Sequence, residues 1–116
     1  MKTVDLIFED GAWWVFDGEN PVHSFDLDED KGIGSRKAQE KALGWIWNMG
    51  WKIGFIENSD RNMETFEPPQ TISIKDWDDV EHWFVADLFA DGEIGDLIQE
   101  FPNEDEAEDW RIQFCA

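Results

Sequence analysis

The strongest constraint on the fold lies near the N-terminus, where two short apolar runs flank an Asp-Gly pair. The runs cover residues 4–8 (VDLIF) and 12–16 (AWWVF), and Asp10 and Gly11 lie between them. Asp-Gly between β-branched or aromatic runs is a strong hairpin signal, because both residues tolerate the positive φ of a tight turn. Residues 22–27 then predict a third, shorter strand. The sequence therefore predicts an antiparallel meander of three strands.

Two later segments have the periodicity of amphipathic helices. The first begins at Arg36, where Ser35 can act as the N-cap, and ends near Met49 with Gly50 as the C-cap. The second covers residues 73–90 and has the spacing of a helix with one face in the core. The residues predicted for that face are Trp77, Val80, Phe84, Leu88 and, at its margin, Val85.

The remaining segments complete the predicted fold class. Residues 51–56 and 110–114 alternate like strands, and 71–74 suits a short strand. Residues 96–101 suit either a strand or a short helix, and 102–109 suit a loop or one or two helical turns. A chain of 116 residues has the length of one domain. We therefore expect a single acidic α+β domain over 1–116, mainly an antiparallel sheet of four to six strands with two helices packed on one face.

The formal net charge of −19 restricts the classes of partner. Residues 71–116 alone carry fourteen acids and two bases. A negative field of this density steers association with a basic protein. The same field disfavours direct contact with nucleic acid, whose phosphates need Lys and Arg, and with anionic membranes. A high charge also keeps a protein soluble, and this plainer explanation stays open.

Other features concern the compartment of the protein. The single cysteine, Cys115, cannot form an internal disulfide, which fits a reducing environment. Residues 1–5 lack the apolar region of a signal peptide, and no apolar run approaches the roughly 20 residues of a membrane span. We expect a cytoplasmic protein, or one in the host cytoplasm if it is encoded by a phage.

Catalytic motifs are missing from the sequence. Only His23 and His82 could act as a base for a nucleophile, and neither accompanies a Gly-x-Ser-x-Gly or Cys-His signature. Gly32 and Gly34 do not form a complete phosphate-binding or dinucleotide-binding motif. One thiol and two imidazoles lack the spacing of a zinc site. We therefore expect no enzymatic activity, no catalytic residue and no cofactor.

One acidic segment partly resembles a calcium loop. Three aspartates alternate over residues 26–30, as at the first, third and fifth positions of an EF-hand loop. However, Lys31 stands where the loop needs glycine, and Lys37 stands where it needs the bidentate Glu. An acidic loop is the favoured interpretation, and no metal ligand is assigned. Calcium binding at 26–30 or at the acidic run 104–109 is kept as a further hypothesis.

The candidate site lies on the polar side of the predicted 73–90 helix. A tryptophan lies there among aspartates spaced three and four residues apart. Trp is enriched in interface hot spots, and the carboxylates would extend over about 16 Å of helix, comparable to a row of phosphates. The alternative is that the first acids serve the helix dipole and that the tryptophan is covered by the 57–70 loop. The predicted partner-binding residues are Asp76, Asp78, Asp79, Trp83 and Asp87.

In size, acidity and aromatic content the whole chain resembles phage-encoded anti-restriction and anti-CRISPR DNA mimics. The resemblance implies a small inhibitor that mimics nucleic-acid charge. Its partner would be a basic nucleic-acid-binding protein, such as a nuclease or a CRISPR or restriction effector, whose groove it would block. The alternatives are an immunity protein that neutralises a cationic nuclease toxin and an acidic calcium-binding domain. The oligomeric state is left open.

Overall fold

The computed structural model describes residues 2–58, 69–89 and 92–114. Much of the 57–70 loop, and Cys115, lie outside the described residues. Within them neither helix has the length and apolar character needed to span a membrane. The strands are β1 Thr3–Glu9, β2 Ala12–Asp17, β3 Asn20–Asp26, β4 Lys52–Asn58, β5 Gln70–Lys75, β6 Glu81–Leu88 and β7 Ile94–Phe101, and the helices are α1 Ser35–Asn48 and α2 Glu104–Phe114.

The predicted N-terminal meander is confirmed. Asp10 and Gly11 have φ of 51° and 76°, the left-handed values that the tight turn requires. The two strands pair antiparallel from Glu9 and Ala12 onward, and β3 pairs antiparallel with β2. The sheet has the order β3-β2-β1-β4, in which β4 runs parallel to β1. The first sheet is therefore mainly antiparallel, as predicted, with one parallel pair at its edge.

The first predicted helix is confirmed, but its cap differs. The helix begins at Ser35, with Gly34 at the N-cap position. The Ser35 hydroxyl instead accepts a hydrogen bond of 3.0 Å from the indole Nε1 of Trp13 in β2. At the other end Gly50 has φ of 76° and reverses the chain into β4. The serine thus ties α1 to the first sheet.

The second predicted helix, 73–90, is wrong. Its described residues, 73–89, form the end of β5, a turn at 76–80 and the whole of β6. The Asp76 Oδ1 accepts hydrogen bonds from the backbone N–H groups of Asp78 and Val80, at 2.8 and 3.1 Å. Such local side-chain bonds to the backbone compete with a helix and favour a turn.

The apolar residues of β6 also explain why the sequence predicted a helix here. This strand is the centre of the second sheet, whose order is β5-β6-β7. Phe84 and Ala86 are buried on one face of the sheet, and Val85 is fully buried on the other. A strand covered on both faces lacks simple alternation, so its apolar residues also fit a helical stripe.

The C-terminal strand predicted at 110–114 is wrong as well, because these residues belong to α2. The Asn103 side chain accepts a hydrogen bond of 2.9 Å from the Glu106 N–H, as an N-cap residue does. Three acids in the first turn suit the helix dipole. The Trp110 ring lies 5.6 Å from the Phe101 ring of β7 and 5.3 Å from the Phe114 ring.

The predicted packing of both helices on one face of a single sheet is also corrected. The α+β domain has two sheets, and α1 contacts β2, β3 and β4 of the first and β5 of the second. Helix α2 covers the opposite face of the second sheet, where the Thr71 hydroxyl donates a hydrogen bond to Glu108. The main core contains Val4, Leu6, Trp13, Val15, Ala38, Ala42, Leu43, Ile46, Ile56, Ile72, Ile74, Phe84, Ala86 and Ile94.

A buried glutamine joins α1 to β7. The Gln39 side chain is fully buried, and its amide bonds both backbone groups of Ile94, each at 2.8 Å. Gln39→Leu would leave that N–H and C=O unpaired. We expect a loss of at least about 2 kcal/mol in the free energy of unfolding, measured by urea denaturation. The control Gln99→Leu, on an exposed part of β7, should change it by less than about 0.5 kcal/mol.

The link between α2 and β5 should make stability depend on pH. The hydrogen bonds from Arg111 and then Thr71 lower the pKa of Glu108 from 4.5 to about 2. The stabilisation by the ionised carboxylate is therefore present above pH 4.5 and is lost as the pH falls toward 2. Denaturation at several pH values should show wild type losing its advantage over Glu108→Gln in this window. If the difference in the free energy of unfolding between the two proteins were constant from pH 7 to 2, this prediction would be wrong.

Candidate partner-binding surface

The turn between β5 and β6 is fixed against α1. The Trp77 N–H donates to the Asn48 Oδ1 at 3.1 Å, and its indole Nε1 donates to the Lys41 carbonyl oxygen at 3.2 Å. Within the turn, Asp79 has a left-handed φ of 61°. Asp tolerates this conformation better than most residues. Two bonds to the helix and a local cap thus give the turn one defined shape.

The close approach of this turn to the helix requires a glycine. A Cβ on Gly44 would lie 2.9 Å from the Trp77 Cδ1 and 3.2 Å from the Lys75 carbonyl oxygen. Glycine in a helix interior costs about 0.5–1 kcal/mol relative to alanine. The helix therefore carries an unfavourable residue at the one point where the turn crosses it.

The same turn exposes two large apolar side chains. Trp77 is 56% exposed and Val80 is 53% exposed, and Asp78, Asp79 and Glu81 beside them are exposed acids. Trp is among the residues most enriched in binding hot spots. Trp77 is thus exposed between carboxylates and is also held in place by its hydrogen bonds to α1.

Trp77 is one end of a row of aromatic side chains, here called the aromatic ridge: Trp77, Phe25, His23, Trp45 and Trp51. The Trp77 and Phe25 ring centroids are 6.4 Å apart, and the Phe25 and His23 rings stack at 4.5 Å. His23 then meets Trp45 edge-on at 4.7 Å, and Trp45 meets Trp51 at 5.4 Å. Since no ridge residue is fully buried, the row forms a continuous, partly exposed aromatic surface.

A second aromatic group lies on the other side of Asp76. The Trp47 ring stacks on His82 at 4.4 Å and on Phe84 at 5.4 Å. The His82 Nε2 lies 2.8 Å from the Asp76 Oδ2, and its Nδ1 lies 3.2 Å from the Glu100 Oε2. The bond to the imidazole is the main reason that the pKa of Asp76 lies below its ordinary value. His82 is therefore fixed between two carboxylates.

The predicted row of site residues is not a continuous row in the structure. Asp78 and Asp79 are exposed at the turn, whereas Asp76 caps the turn and bonds His82. Trp83 lies in β6 on the sheet face toward α2, opposite Phe101, and is only partly exposed.

Asp87 lies at the far end of β6 from the turn. It is paired across the strands with Asp96 of β7. Partial burial, and then the charge of Asp96, raise its pKa. The structure therefore separates Asp87, like Trp83, from the exposed aspartates of the turn.

The exposed tryptophan of the turn is therefore Trp77, which the helical periodicity assigned to the core. The turn chemistry of Asp78-Asp79 is the sequence signal that could have found it. The rest of the ridge comes from β3, α1 and the residue before β4, which are distant in sequence. Only the fold brings those residues together.

The two candidate calcium segments have regular structure. Residues 29–31 form a 3₁₀ turn closed by backbone bonds between Asp28 and Ile33, and the Lys31 ammonium lies 4.0 Å from the Asp28 carboxylate. Residues 104–109 belong to α2. The described part of the chain contains no group of three or more His, Cys, Asp or Glu side chains placed to hold a metal.

Comparison of the chain with models of protein families, with curated proteins and with solved structures finds no match.

The glycine under the turn offers a direct test of this surface. Gly44→Ala should displace the Trp77 ring, because the added methyl has no room. We expect a large change in the Trp77 indole N–H signal in ¹H–¹⁵N NMR spectra, although alanine favours the helix. The control Gly34→Ala, whose Cβ would meet no atom within 4 Å, should leave that signal in place. An unchanged Trp77 signal in Gly44→Ala would disprove the close packing.

Proposed function

We propose that this protein is an acidic inhibitor that blocks the basic groove of a nucleic-acid-binding protein by mimicking nucleic-acid charge. The observation that carries the proposal is the turn at 76–80. It presents the exposed Trp77 between exposed carboxylates and is hydrogen-bonded to α1. The cognate groove would belong to a nuclease or to a CRISPR or restriction effector.

Charge supports this class of partner. The chain has 28 acidic residues against nine basic ones. Few described acids are neutralised within the molecule, and Asp78, Asp79 and Glu81 are exposed around the anchor. Groups of this kind steer a cationic partner and set the orientation in which it binds. The binding energy itself then comes mainly from burying the aromatic anchor.

The mechanism would be occlusion with one inhibitor for each groove. Carboxylates of the turn pair with Arg and Lys side chains that otherwise contact phosphates, while Trp77 enters an apolar recess between them. Such binding weakens as salt is added, because exposed charges are screened over about 8–10 Å at physiological ionic strength. Nucleic acid and inhibitor then exclude one another.

Affinity capture from the lysate of a host cell, at low and high salt, would identify the partner. The captured protein is then purified and tested for nucleic-acid binding with increasing amounts of inhibitor. We expect loss of nucleic-acid binding at one equivalent. A captured protein that binds nucleic acid and inhibitor together would contradict mimicry. Capture of a toxin nuclease encoded beside this protein would favour the immunity alternative.

Variants of the turn test the assigned surface with that purified partner. Trp77→Ala should weaken binding at least about 30-fold, equivalent to about 2 kcal/mol, as expected of a hot spot. Asp78→Asn combined with Asp79→Asn should also weaken it, and Asn tolerates the left-handed φ of Asp79. Isothermal titration calorimetry would measure each affinity.

The matched control is Asp105→Asn with Asp109→Asn. These acids are exposed on α2, which covers the opposite side of the second sheet from α1. Both double variants remove two charges. If affinity depends only on the overall field, both should weaken binding equally, and the assignment of the turn would then be wrong. A much smaller effect of the α2 pair would support a local contact.

A further inference from the structure

We infer that the cleft beside His82 binds an arginine side chain of the basic partner. The inference rests on the proposed function and names a second point of contact for it. The cleft has a volume of about 420 Å³ and lies between the end of α1, the start of β4 and the second sheet. The lining residues that bear on its chemistry are Trp47, Trp51, Lys52, His82, Phe84 and Glu100.

The walls of the cleft suit a flat cation with an apolar stem. Trp47, Trp51 and Phe84 supply aromatic surface, on which a guanidinium can stack and against which its methylene groups can pack. Trp47 is itself held in a stack with His82 and Phe84, so this wall is formed before binding. Preformed walls reduce the entropy lost on binding.

Glu100 supplies the negative charge that would bind this cation. Its side chain is 58% exposed at the cleft, and one oxygen lies 3.2 Å from the His82 Nδ1. The other nitrogen of His82 bonds Asp76, so the imidazole and the carboxylate have fixed orientations. A planar guanidinium can bond a carboxylate through two parallel N–H groups, which an ammonium cannot do.

Within the molecule, a lysine ammonium is already bound by an aromatic ring and a carboxylate, at Trp51. The Lys2 ammonium lies 4.7 Å from the centroid of that ring and 3.0 Å from an Asp17 carboxylate oxygen. An aromatic face together with a carboxylate thus holds a cation within the molecule. Trp47 and Glu100 likewise bring an aromatic side chain and a carboxylate to the open volume of the cleft.

Lys52 provides a way to tell whether the ligand of the cleft is cationic, anionic or neutral. It is exposed, lines the cleft, and forms no ion pair with the described residues. It would repel a bound arginine, attract an anionic ligand, and have little effect on a neutral aromatic one. Removal of its charge should therefore strengthen arginine binding, weaken anion binding and leave neutral binding unchanged.

The probe is a capped peptide of four arginines, compared with peptides of four lysines and of four citrullines, the neutral isostere of arginine. The indole N–H signals of Trp47 and Trp51 report binding in ¹H–¹⁵N NMR titrations. We expect the arginine peptide to shift both signals, the lysine peptide to bind more weakly, and the citrulline peptide to leave both unchanged.

Three variants of single residues complete the test. Glu100→Gln should weaken the arginine peptide about fivefold, the scale of a partly exposed charged bond. Lys52→Gln should tighten binding about twofold. The control Glu106→Gln removes one exposed charge of α2 outside the lining of the cleft and should change affinity less than twofold.

Several results would overturn the inference. Equal binding of citrulline would indicate a neutral ligand, and weaker binding to Lys52→Gln would indicate an anion. Shifts confined to signals outside the cleft would place the peptide elsewhere. If Glu100→Gln left the captured partner's affinity unchanged, the contact with the partner would be wrong, while groove blocking would stand. If the captured partner kept its nucleic acid, the proposed function would fail, while peptide binding at the cleft would be unaffected.

Discussion

The candidate surface depends on the contact between the 76–80 turn and the glycine of α1. This contact lets the backbone of the second sheet reach the helix, so that Trp77 can bond Lys41 and Asn48 while more than half of the residue's surface stays exposed. A tryptophan on a loose loop would lose more side-chain and backbone freedom on binding. Glycine destabilises the helix slightly, but its missing side chain makes room for the turn. The turn then presents a surface that is apolar, exposed and held in place.

The acidic groups have two different roles. Asp76 and Glu108 act inside the fold, where each accepts several hydrogen bonds that keep its pKa low. Asp78 and Asp79 are exposed and add to the negative field around Trp77. The difference is one of hydrogen bonding and burial and not of residue type. A high count of carboxylates therefore does not by itself show which of them meet a partner.

Local signals predicted the local structure. The Asp10-Gly11 turn, the strands around it and helix α1 follow from turn chemistry and periodicity, and the structure confirms them. The prediction of a helix at 73–90 failed for two reasons. A strand buried on both faces has no clear period, and the aspartates of the segment favour a turn. The sequence allowed one or two helical turns at 102–109 but predicted a strand at 110–114, although Asn103 and the acids after it are start signals for a longer helix. Contacts among distant elements, such as the aromatic ridge, could not be predicted from one sequence.

The parallel pairing of β1 with β4 has a consequence for how the chain folds. The first strand is internal to its sheet, yet its second neighbour comes from residues 52–58, after the whole of α1. The loop that must close is long, and contacts of this separation slow folding. During synthesis the N-terminal hairpin therefore has an unpaired edge until β4 emerges. Asp5 and Glu9 give that edge negative charge, which disfavours its pairing with other chains in that interval.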